Sequence, residues 1–228
     1  YVFHSLSSSH TIYHEEAFDA YDTIYAAGPH HMTEIKKREE VLDLPSKEVV
    51  EAGYPRVDCL LKGEECFEKR DKITIAPTWG ESSLIENESG LKVIREIISL
   101  GYKTFLRVHP MTVRHHPSLI FKLEKMSFES SNFFIEKNMG NQSNLEDSFL
   151  MISDWSGASF EFSLTQSRPV LFIDTPQKIN NENWDILKLP AAEKEVRGKI
   201  GKILKRENLK ELKKIVDEFY ENQENWHQ

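Results

Sequence analysis

Residues 149–176 constrain the fold of this chain more than any other stretch. They read FLMISDWSGASFEFSLTQSRPVLFIDTP: an apolar run, a polar turn, a segment with one apolar face and a second apolar run. Short apolar runs bounded by turn residues are typical of buried strands, and the segment between them has helical spacing. We therefore predict a strand–turn–helix–strand unit, the repeating element of parallel α/β sheets.

The turn of this unit has the residue types of an anion-binding site. Backbone N–H groups at the start of the predicted helix can point toward a phosphate. They belong to Ser156, Gly157, Ala158 and Ser159. Glu161 follows about one helical turn later, where its carboxylate can accept hydrogen bonds from a ribose, so the pattern indicates a nucleotide diphosphate. An ordinary crossover, with Ser156 as helix cap and Asp154 as turn residue, explains the same residues.

Strands and helices alternate on both sides of this unit. Apolar runs and segments of helical spacing alternate from Lys72 to Glu136, and a shorter series of the same kind lies between Tyr1 and Ala52. Three or more strands alternating with helices favour a parallel sheet in an α/β protein. Residues 62–72, between the two series, are charged and contain a glycine, and 228 residues are enough for two small domains. We therefore expect one domain in residues 1–62 and another in residues 71–228.

The end of the chain combines helical spacing with positive charge. Apolar residues between Val196 and Phe219 recur at helical intervals, which predicts two terminal helices. Residues 188–214 carry ten Lys or Arg against four Glu, although the whole chain has a net charge of −8. The overall negative charge argues against a nucleic-acid partner. The basic segment is either a solvated helix face or a surface that contacts an anionic polymer or membrane.

Other features exclude some classes of protein and site. No apolar run approaches the length of a membrane span. Cys59 and Cys66 are the only cysteines, and no second pair or nearby His completes a zinc site, so a reducing, cytoplasmic compartment is the simpler interpretation. No Asp/Glu cluster has the spacing of a Mg²⁺ site, so we expect no metal. The chain opens on YVFH without an initiator Met, which suggests a piece of a longer protein.

His4 is a candidate catalytic residue because of its place at a strand end. Tyr1–Leu6 reads as a short strand that runs into the polar turn SLSSSH. Sites of parallel sheets gather at the carboxyl ends of strands, which makes His4 a candidate general base. A lone histidine is more often a structural hydrogen-bonding residue, and the sequence alone leaves both interpretations open.

Polar islands follow the predicted strands in a fixed order. They are His4-Ser5, GYPRVD at Gly53–Asp58, APTWG at Ala76–Gly80, RVHP at Arg107–Pro110 and SDWSGASFE at Ser153–Glu161. Taken together, this ordered set resembles the CDP-glycerol glycerophosphotransferase family, whose members prime and polymerise teichoic acids and build related capsules. The resemblance extends from about Tyr1 to Asp174, and the terminal segment resembles the family only in general character.

The resemblance implies a GT-B-like architecture, in which two Rossmann-like domains face each other across a cleft and the carboxyl-terminal one binds the nucleotide. Residues 1–62 are then the tail of the acceptor-side domain, and residues 71–228 are the donor domain. In the family an HG dipeptide supplies a base for the acceptor hydroxyl, which implies that role for His4, although the dipeptide here is HS. The RxHP motif maps onto Arg107 and His109, which implies that both lie beside the donor phosphates, with His109 catalytic.

The resemblance also implies the rest of the donor site and the reaction. The residues that would hold the diphosphate and ribose are Ser153, Asp154, Ser156, Gly157 and Glu161, and the N–H group of Ser159 lies at the same helix start. The expected enzyme moves glycerol phosphate, or a related polyol or sugar phosphate, from a CDP-activated donor to a glycan or polyol-phosphate polymer in cell-wall or capsule synthesis. We expect no separate cofactor, and a cytoplasmic enzyme that can contact the inner face of the plasma membrane.

Two other functions remain open at this point. A GT-B glycosyltransferase or an epimerase that uses a nucleotide-sugar places Ser, Gly and Glu at the same helix start. A nucleotide-binding domain without catalysis is suggested by Ser5, which stands where the family has Gly. Competition between CDP-glycerol and UDP-sugars separates the first alternative from the transferase, and binding without turnover would identify the second.

Overall fold

The computed structural model describes residues 1–61, 69–87, 89–137 and 143–227. The chain forms two compact units. The first comprises Tyr1–Lys62 and Lys178–Val196, and the second comprises Gly63–Gln177 and Arg197–Gln228.

Helices and strands alternate along most of the chain. The strands are β1 (Thr23–Ala26), β2 (Glu48–Glu51), β3 (Lys72–Ala76), β4 (Lys103–Arg107), β5 (Phe133–Glu136), β6 (Ser148–Ser153), β7 (Val170–Ile173) and β8 (Gly201–Leu204). The α-helices are α1 (Ser9–Ile12), α2 (Pro29–Leu42), α3 (Pro55–Leu60), α4 (Gly90–Ser99), α5 (Pro110–His115), α6 (Pro117–Glu129), α7 (Ser143–Glu146), α8 (Ala158–Gln166), α9 (Ala192–Val196) and α10 (Leu212–Glu221). Within the described ranges, 3₁₀-helices span Trp184–Leu187, Arg206–Glu211 and Gln223–His227.

The second unit is built on a six-stranded sheet in the order β5-β4-β3-β6-β7-β8. All neighbouring pairs are parallel. The order is that of the doubly wound Rossmann sheet, whose direction reverses between its first and fourth strands, here β3 and β6. All six residues of β6 are buried, as expected for a central strand covered on both faces. The predicted parallel α/β sheet is confirmed.

Two apolar clusters pack around the sheet of the second unit. The larger one includes Val93, Ile94 and Ile97 of α4 together with Leu212, Val216 and Phe219 of α10. The smaller one consists of Ala76, Met151, Phe162, Val170 and Phe172. Helix α8 therefore contributes Phe162 to the smaller cluster, while α4 and α10 belong to the larger one. This packing fixes the helix that begins directly beyond the end of β6.

The structure corrects the first of the two predicted terminal helices. Residues from Gly201 onward form β8, which pairs with β7 so that Gly201 lies opposite Val170. A Cβ atom at Gly201 would lie 1.7 Å from the Val170 carbonyl oxygen, so only glycine permits this approach of the two strands. Strand pairing therefore overrides the helical spacing of residues 196–204. The second terminal helix is confirmed as α10.

The first unit carries a two-stranded parallel sheet of β1 and β2. Tyr1–Leu6, predicted as a strand, contributes a single parallel bridge between Val2 and Tyr25. The structure assigns Lys178–Val196 to this unit, whereas the sequence prediction placed that segment in the second domain. Two hydrogen bonds attach the segment to this unit: the backbone N–H groups of Asn180 and Asn181 both donate to the Thr11 carbonyl in α1.

Two further predictions concern the cysteines and the membrane. Cys59 is an exposed free thiol, and Cys66 lies outside the described residues. Among the described helices, none combines the length and the apolar character that a membrane crossing requires.

Candidate active site

The carboxyl ends of the parallel strands meet at one edge of the six-stranded sheet, which we call the donor edge. In open α/β sheets, ligands bind at this edge where the strand order reverses. The predicted motifs RVHP and SDWSGASFE follow β4 and β6, so the fold brings them to the same edge. Among the described residues, no group of three or more His, Cys, Asp or Glu side chains could hold a metal ion.

Asp154 anchors the loops at the centre of the donor edge. Its side chain is fully buried. One carboxylate oxygen accepts the N–H groups of Thr78 at 2.8 Å and Ser156 at 3.1 Å, and the other accepts the N–H group of Leu84 at 2.7 Å. The carboxylate thus ties the turn after β6 to the loop after β3. This geometry gives Asp154 a role in positioning the two loops. The family resemblance had implied that its carboxylate contacts the nucleotide.

Two serine hydroxyls predicted near the donor stabilise the same turn. Ser153 is buried and its Oγ donates to the Ala76 carbonyl at 2.7 Å. Ser159 is also buried, and both its hydroxyl and its N–H group donate to the Ser156 carbonyl, at 2.7 and 3.1 Å. We predicted from the sequence that the Ser159 N–H group points freely toward a ligand. This prediction was wrong, because the group donates to the Ser156 carbonyl. These two residues shape the turn.

The remaining residues predicted to bind the nucleotide lie at the start of α8. Gly157 takes the N-cap position, and no side chain in the described part of the chain caps the helix. Ser156, the predicted cap, has its Oγ 3.4 Å from the Ala158 nitrogen, which is at the long limit of a hydrogen bond. Glu161 is half-buried in the first turn of the helix. The amides of Gly157 and Ala158 thus form the positive end of a helix dipole next to a carboxylate.

Arg107 lies in a buried ion pair. It is 3% exposed, and its Nη1 lies 3.5 Å from Oε2 of Glu136, its register partner on the neighbouring strand β5. Buried charges are normally paired, because an unpaired buried charge is very costly. The family resemblance implied a place for Arg107 beside the donor phosphates, and in the structure its guanidinium forms an ion pair with Glu136.

His109 caps helix α5 and has a defined tautomer. Its Nδ1 accepts the N–H group of Met111 at 3.1 Å. A neutral imidazole that accepts at Nδ1 carries its proton on Nε2, which can then donate to a ligand oxygen. The ring is half-buried and lies 5.8 Å from the Trp79 ring, in the loop after β3. This position and tautomer suit a donor to phosphate oxygens.

Glu86 is a residue of the donor edge that the sequence analysis missed. Its buried carboxylate accepts the Gly80 N–H group at 2.8 Å and the Thr112 hydroxyl, and it pairs with His116 at 3.2 Å. It therefore joins the loop after β3 to α5, the helix that carries the His109 cap. A single acidic residue in a polar loop gives no sequence signal for such a role.

His4 belongs to the first unit, whereas the other predicted site residues belong to the second unit. Its side chain is exposed, and its Nδ1 lies 3.4 Å from the Tyr1 hydroxyl. The Tyr54 hydroxyl donates to the His4 carbonyl at 3.0 Å. The backbone of His4 is therefore fixed by Tyr54, which belongs to the GYPRVD motif, while its imidazole is accessible.

The serine turn, residues 5–9, follows His4 and is held by buried side chains. The Nε2–H group of His31 donates to the Ser7 carbonyl at 2.8 Å. One Glu34 oxygen accepts both the N–H group and the hydroxyl of Ser9 at 2.6 Å each. These contacts hold the backbone beyond His4 in one conformation.

The segment that returns to the first unit completes this support. Oε1 of Glu193 accepts the Ser8 N–H group at 2.9 Å, and the Ala192 N–H group donates to the Ser8 hydroxyl at 2.6 Å. Glu193 is also buried. No local pattern predicts these bonds because their partners are 185 and 184 positions apart in the chain.

The charges under the serine turn are set by burial and by hydrogen bonds. Burial and the neighbouring His30 lower the pKa of His31 to about 4, so this ring is neutral. Burial raises the pKa of Glu34, but hydrogen bonds from His10 and Ser9 outweigh it and leave that pKa below its ordinary value. Glu34 is therefore ionised and pairs with His10, whose Nδ1 lies 3.2 Å away.

Comparison with known proteins points to one family. Residues 7–218 match the family model described as CDP-Glycerol:Poly(glycerophosphate) glycerophosphotransferase. This range includes both motifs of the donor edge, and His4 precedes it. No curated protein matches the chain.

Solved structures match the chain at low sequence identity. A protein assigned as a UDP-N-acetylglucosamine 2-epimerase from Listeria monocytogenes is 13% identical with a TM-score of 0.55, and the match covers 90% of this chain and 53% of that one. The glycotransferase of kitacinnamycin is 11% identical with a TM-score of 0.50, covering 93% and 50%. The wall teichoic acid polymerase TagF is 17% identical with a TM-score of 0.49, covering 93% and 54%.

The first two of these structures confirm the predicted GT-B-like α/β fold. The chain spans about half the length of each of the three structures.

Proposed function

Because the chain belongs to the CDP-glycerol:poly(glycerophosphate) glycerophosphotransferase family, we propose that it is part of an enzyme that transfers glycerol phosphate from CDP-glycerol to a growing polymer. The product would be a teichoic acid or a related cell-wall or capsule polymer. The observation that supports this proposal is the family match over residues 7–218. The donor is a substrate, and the proposed reaction needs no separate cofactor.

In this proposal the donor edge of the second unit binds CDP-glycerol. The amides at the start of α8 lie where a parallel sheet holds phosphates, and their partial positive charge stabilises the diphosphate. Glu161, in the first turn of α8, accepts hydrogen bonds from the ribose hydroxyls. Asp154 and Glu86 take no part in binding and hold the surrounding loops in position.

The proposed reaction is a phosphoryl transfer. A hydroxyl oxygen of the acceptor attacks the phosphorus that carries the glycerol, a new P–O bond forms, and the P–O bond to CMP breaks. His4 takes the proton of the attacking hydroxyl, and CMP leaves with the electron pair of the broken bond. The Nε2–H group of His109 donates to a phosphate oxygen and stabilises the charge that develops there.

The acceptor and the site of action are also proposals. The acceptor would be a glycan or a polyol-phosphate polymer, whose chains are anionic. Exposed lysines in the basic segment, residues 188–214, could attract such a polymer or the anionic inner face of the plasma membrane. Co-sedimentation with anionic and neutral vesicles at low and high salt tests the membrane contact, and equal sedimentation with both vesicle types would contradict it.

Calorimetric titration of the chain with CDP-glycerol, CDP, cytidine and UDP-N-acetylglucosamine in EDTA tests the donor proposal. We expect binding of the cytidine diphosphates without metal and no competition from the uridine ligand. Preference for the uridine ligand would favour a nucleotide-sugar enzyme. No binding by a folded sample would contradict the donor site, and binding without transfer by the full-length protein would favour a non-catalytic domain.

A further inference from the structure

Two arginines outside the predicted motifs reach the donor edge with unbonded N–H groups. Arg197 is 3% exposed, and its Nε has no hydrogen-bond partner among the described residues. The Nε and Nη2 atoms of Arg206 are also buried, and within the same ranges neither has a hydrogen-bond partner. Buried guanidinium N–H groups without acceptors are costly, so a missing acceptor is indicated at both residues.

Arg197 lies beside the start of α8. Its guanidinium carbon is 4.0 Å from the centre of the Trp155 ring, two residues before the Gly157 cap, and 4.9 Å from the ring of Phe172. Its Nη2 lies 3.4 Å from a carboxylate oxygen of Asp174, directly beyond the end of β7. The aromatic rings fix the plane of the guanidinium, and the ion pair with Asp174 leaves Nε for another acceptor.

Arg206 approaches the same edge from the end of β8. Its Nη1 donates to the Ser89 hydroxyl at 2.8 Å, at the start of α4. Burial lowers the pKa of Arg206, while the charges of Asp154 and Asp174 act in the opposite direction. The same two carboxylates act on Arg197. Both arginines therefore lie within electrostatic reach of the turn that carries the proposed phosphate site.

The phosphates of a nucleoside diphosphate match these groups. Arg107, the cation that the family resemblance implies beside them, is in an ion pair with Glu136, and the carboxylate of Asp154 accepts hydrogen bonds from three backbone amides. A diphosphate carries at least two negative charges and needs donors with charge. The planar, permanently charged guanidinium is the side chain best suited to bind phosphate oxygens.

We propose that Arg197 and Arg206 bind the phosphate groups of the nucleoside diphosphate donor, together with the amides at the start of α8. This inference rests on the proposed function, because it requires the donor to occupy the donor edge. It adds two side chains from the segment after residue 196 to the phosphate site and leaves the base and the ribose to other residues.

Substitution of each arginine tests the assignment. Calorimetry of R197Q and R206Q is expected to show CDP affinity reduced about tenfold or more, since each loses a charge-assisted contact, with cytidine affinity unchanged. R95Q is the matched control: Arg95 is exposed on α4, and its loss should change neither affinity. Wild-type CDP affinity in both variants, or an equal loss of cytidine affinity, would overturn the proposal.

A measurement on the wild type covers the case in which a variant does not fold. The Nε–H groups of buried arginines give resolved ¹H–¹⁵N signals, and R197K and R206K, which keep the charge, assign them. We expect both signals to shift on addition of CDP and to stay in place with cytidine. Unshifted signals in a protein that binds CDP would overturn this inference alone, whereas a wild type that does not bind CDP would overturn the proposed function with it.

Discussion

At the scale of residues, the neighbours of each histidine decide which chemistry it can perform. His109 and His31 both accept a backbone N–H group at Nδ1, from Met111 and Ala27 respectively. Each neutral ring therefore carries its proton on Nε2. The proton of His31 is committed to the Ser7 carbonyl inside the first unit, so that ring is structural. His109 differs because its ring is half-buried at the end of a strand, where ligands bind.

His109→Asn is expected to lower transfer by the full-length enzyme by about 10²-fold or more, because a positioned donor to the phosphate is lost. The Asn side chain can still cap α5 by accepting the Met111 N–H group, so stability should stay close to that of the wild type. Initial rates and urea unfolding measure the two effects. His115→Asn, at an exposed position of the same helix, is the control. A variant at position 109 with wild-type rate would exclude the residue from the site.

The buried His31 makes stability depend on pH. Its pKa is about 4 in the folded protein and near 6.5 when unfolded, so below pH 6.5 the unfolded chain binds a proton that the folded protein does not. The contribution of the neutral ring is therefore complete above pH 6.5 and is lost as the pH falls toward 4, by up to about 3 kcal/mol.

Urea unfolding of the wild type and His31→Gln from pH 7.5 to pH 4 measures this contribution. The variant should lose much less stability over that range than the wild type. His115→Gln, which removes an exposed ring, should keep the wild-type dependence. Parallel curves for wild type and His31→Gln would show that the ring titrates normally.

At the scale of elements, the sequence predicted the helices and strands whose formation depends on local apolar spacing. The strand–turn–helix–strand unit predicted within residues 149–176 is observed as β6, α8 and β7, because its apolar spacing agrees with the faces that these elements bury. The helix predicted over residues 201–204 was wrong, because these residues pair with β7 and this pairing is a tertiary interaction. The role of Asp154 escaped prediction for a related reason, since one of its amide partners lies 76 residues away in the chain.

Gly201→Ala is expected to destabilise the second unit by about 3 kcal/mol or more, because the added methyl group would overlap the Val170 carbonyl and force β8 away from β7. Gly198→Ala is a matched control, three residues earlier, where a Cβ meets nothing within 4 Å. Urea denaturation gives both free energies of unfolding. Equal stability of the two variants would contradict the close approach of the strands.

At the scale of the whole molecule, the two units divide the proposed chemistry. The first holds His4 and the serine turn, whose conformation depends on buried Glu34 and Glu193. The second holds the donor edge. The sequence located most of the predicted residues near strand ends, but it did not distinguish those that face a ligand from those, such as Ser153, whose hydroxyl bonds within the fold. That distinction depends on hydrogen bonds between distant segments.

Hydrogen exchange with and without CDP tests this division. Saturating CDP at 100 times its dissociation constant should stabilise the protein by about 2.7 kcal/mol. Protection should appear in residues 154–158 and 197–206 of the second unit and be absent from the serine turn of the first. Protection confined to the first unit would place the nucleotide there instead.

The assignment of Lys178–Val196 to the first unit affects how this protein can be divided by recombination. The chain passes from one unit to the other after residues 62, 177 and 196. Neither unit is therefore a continuous stretch of the gene, and a single crossover within residues 62–71 would separate Glu193 from the turn that it supports. Exchanging the first unit between relatives would need three junctions, so the two units are expected to be inherited together.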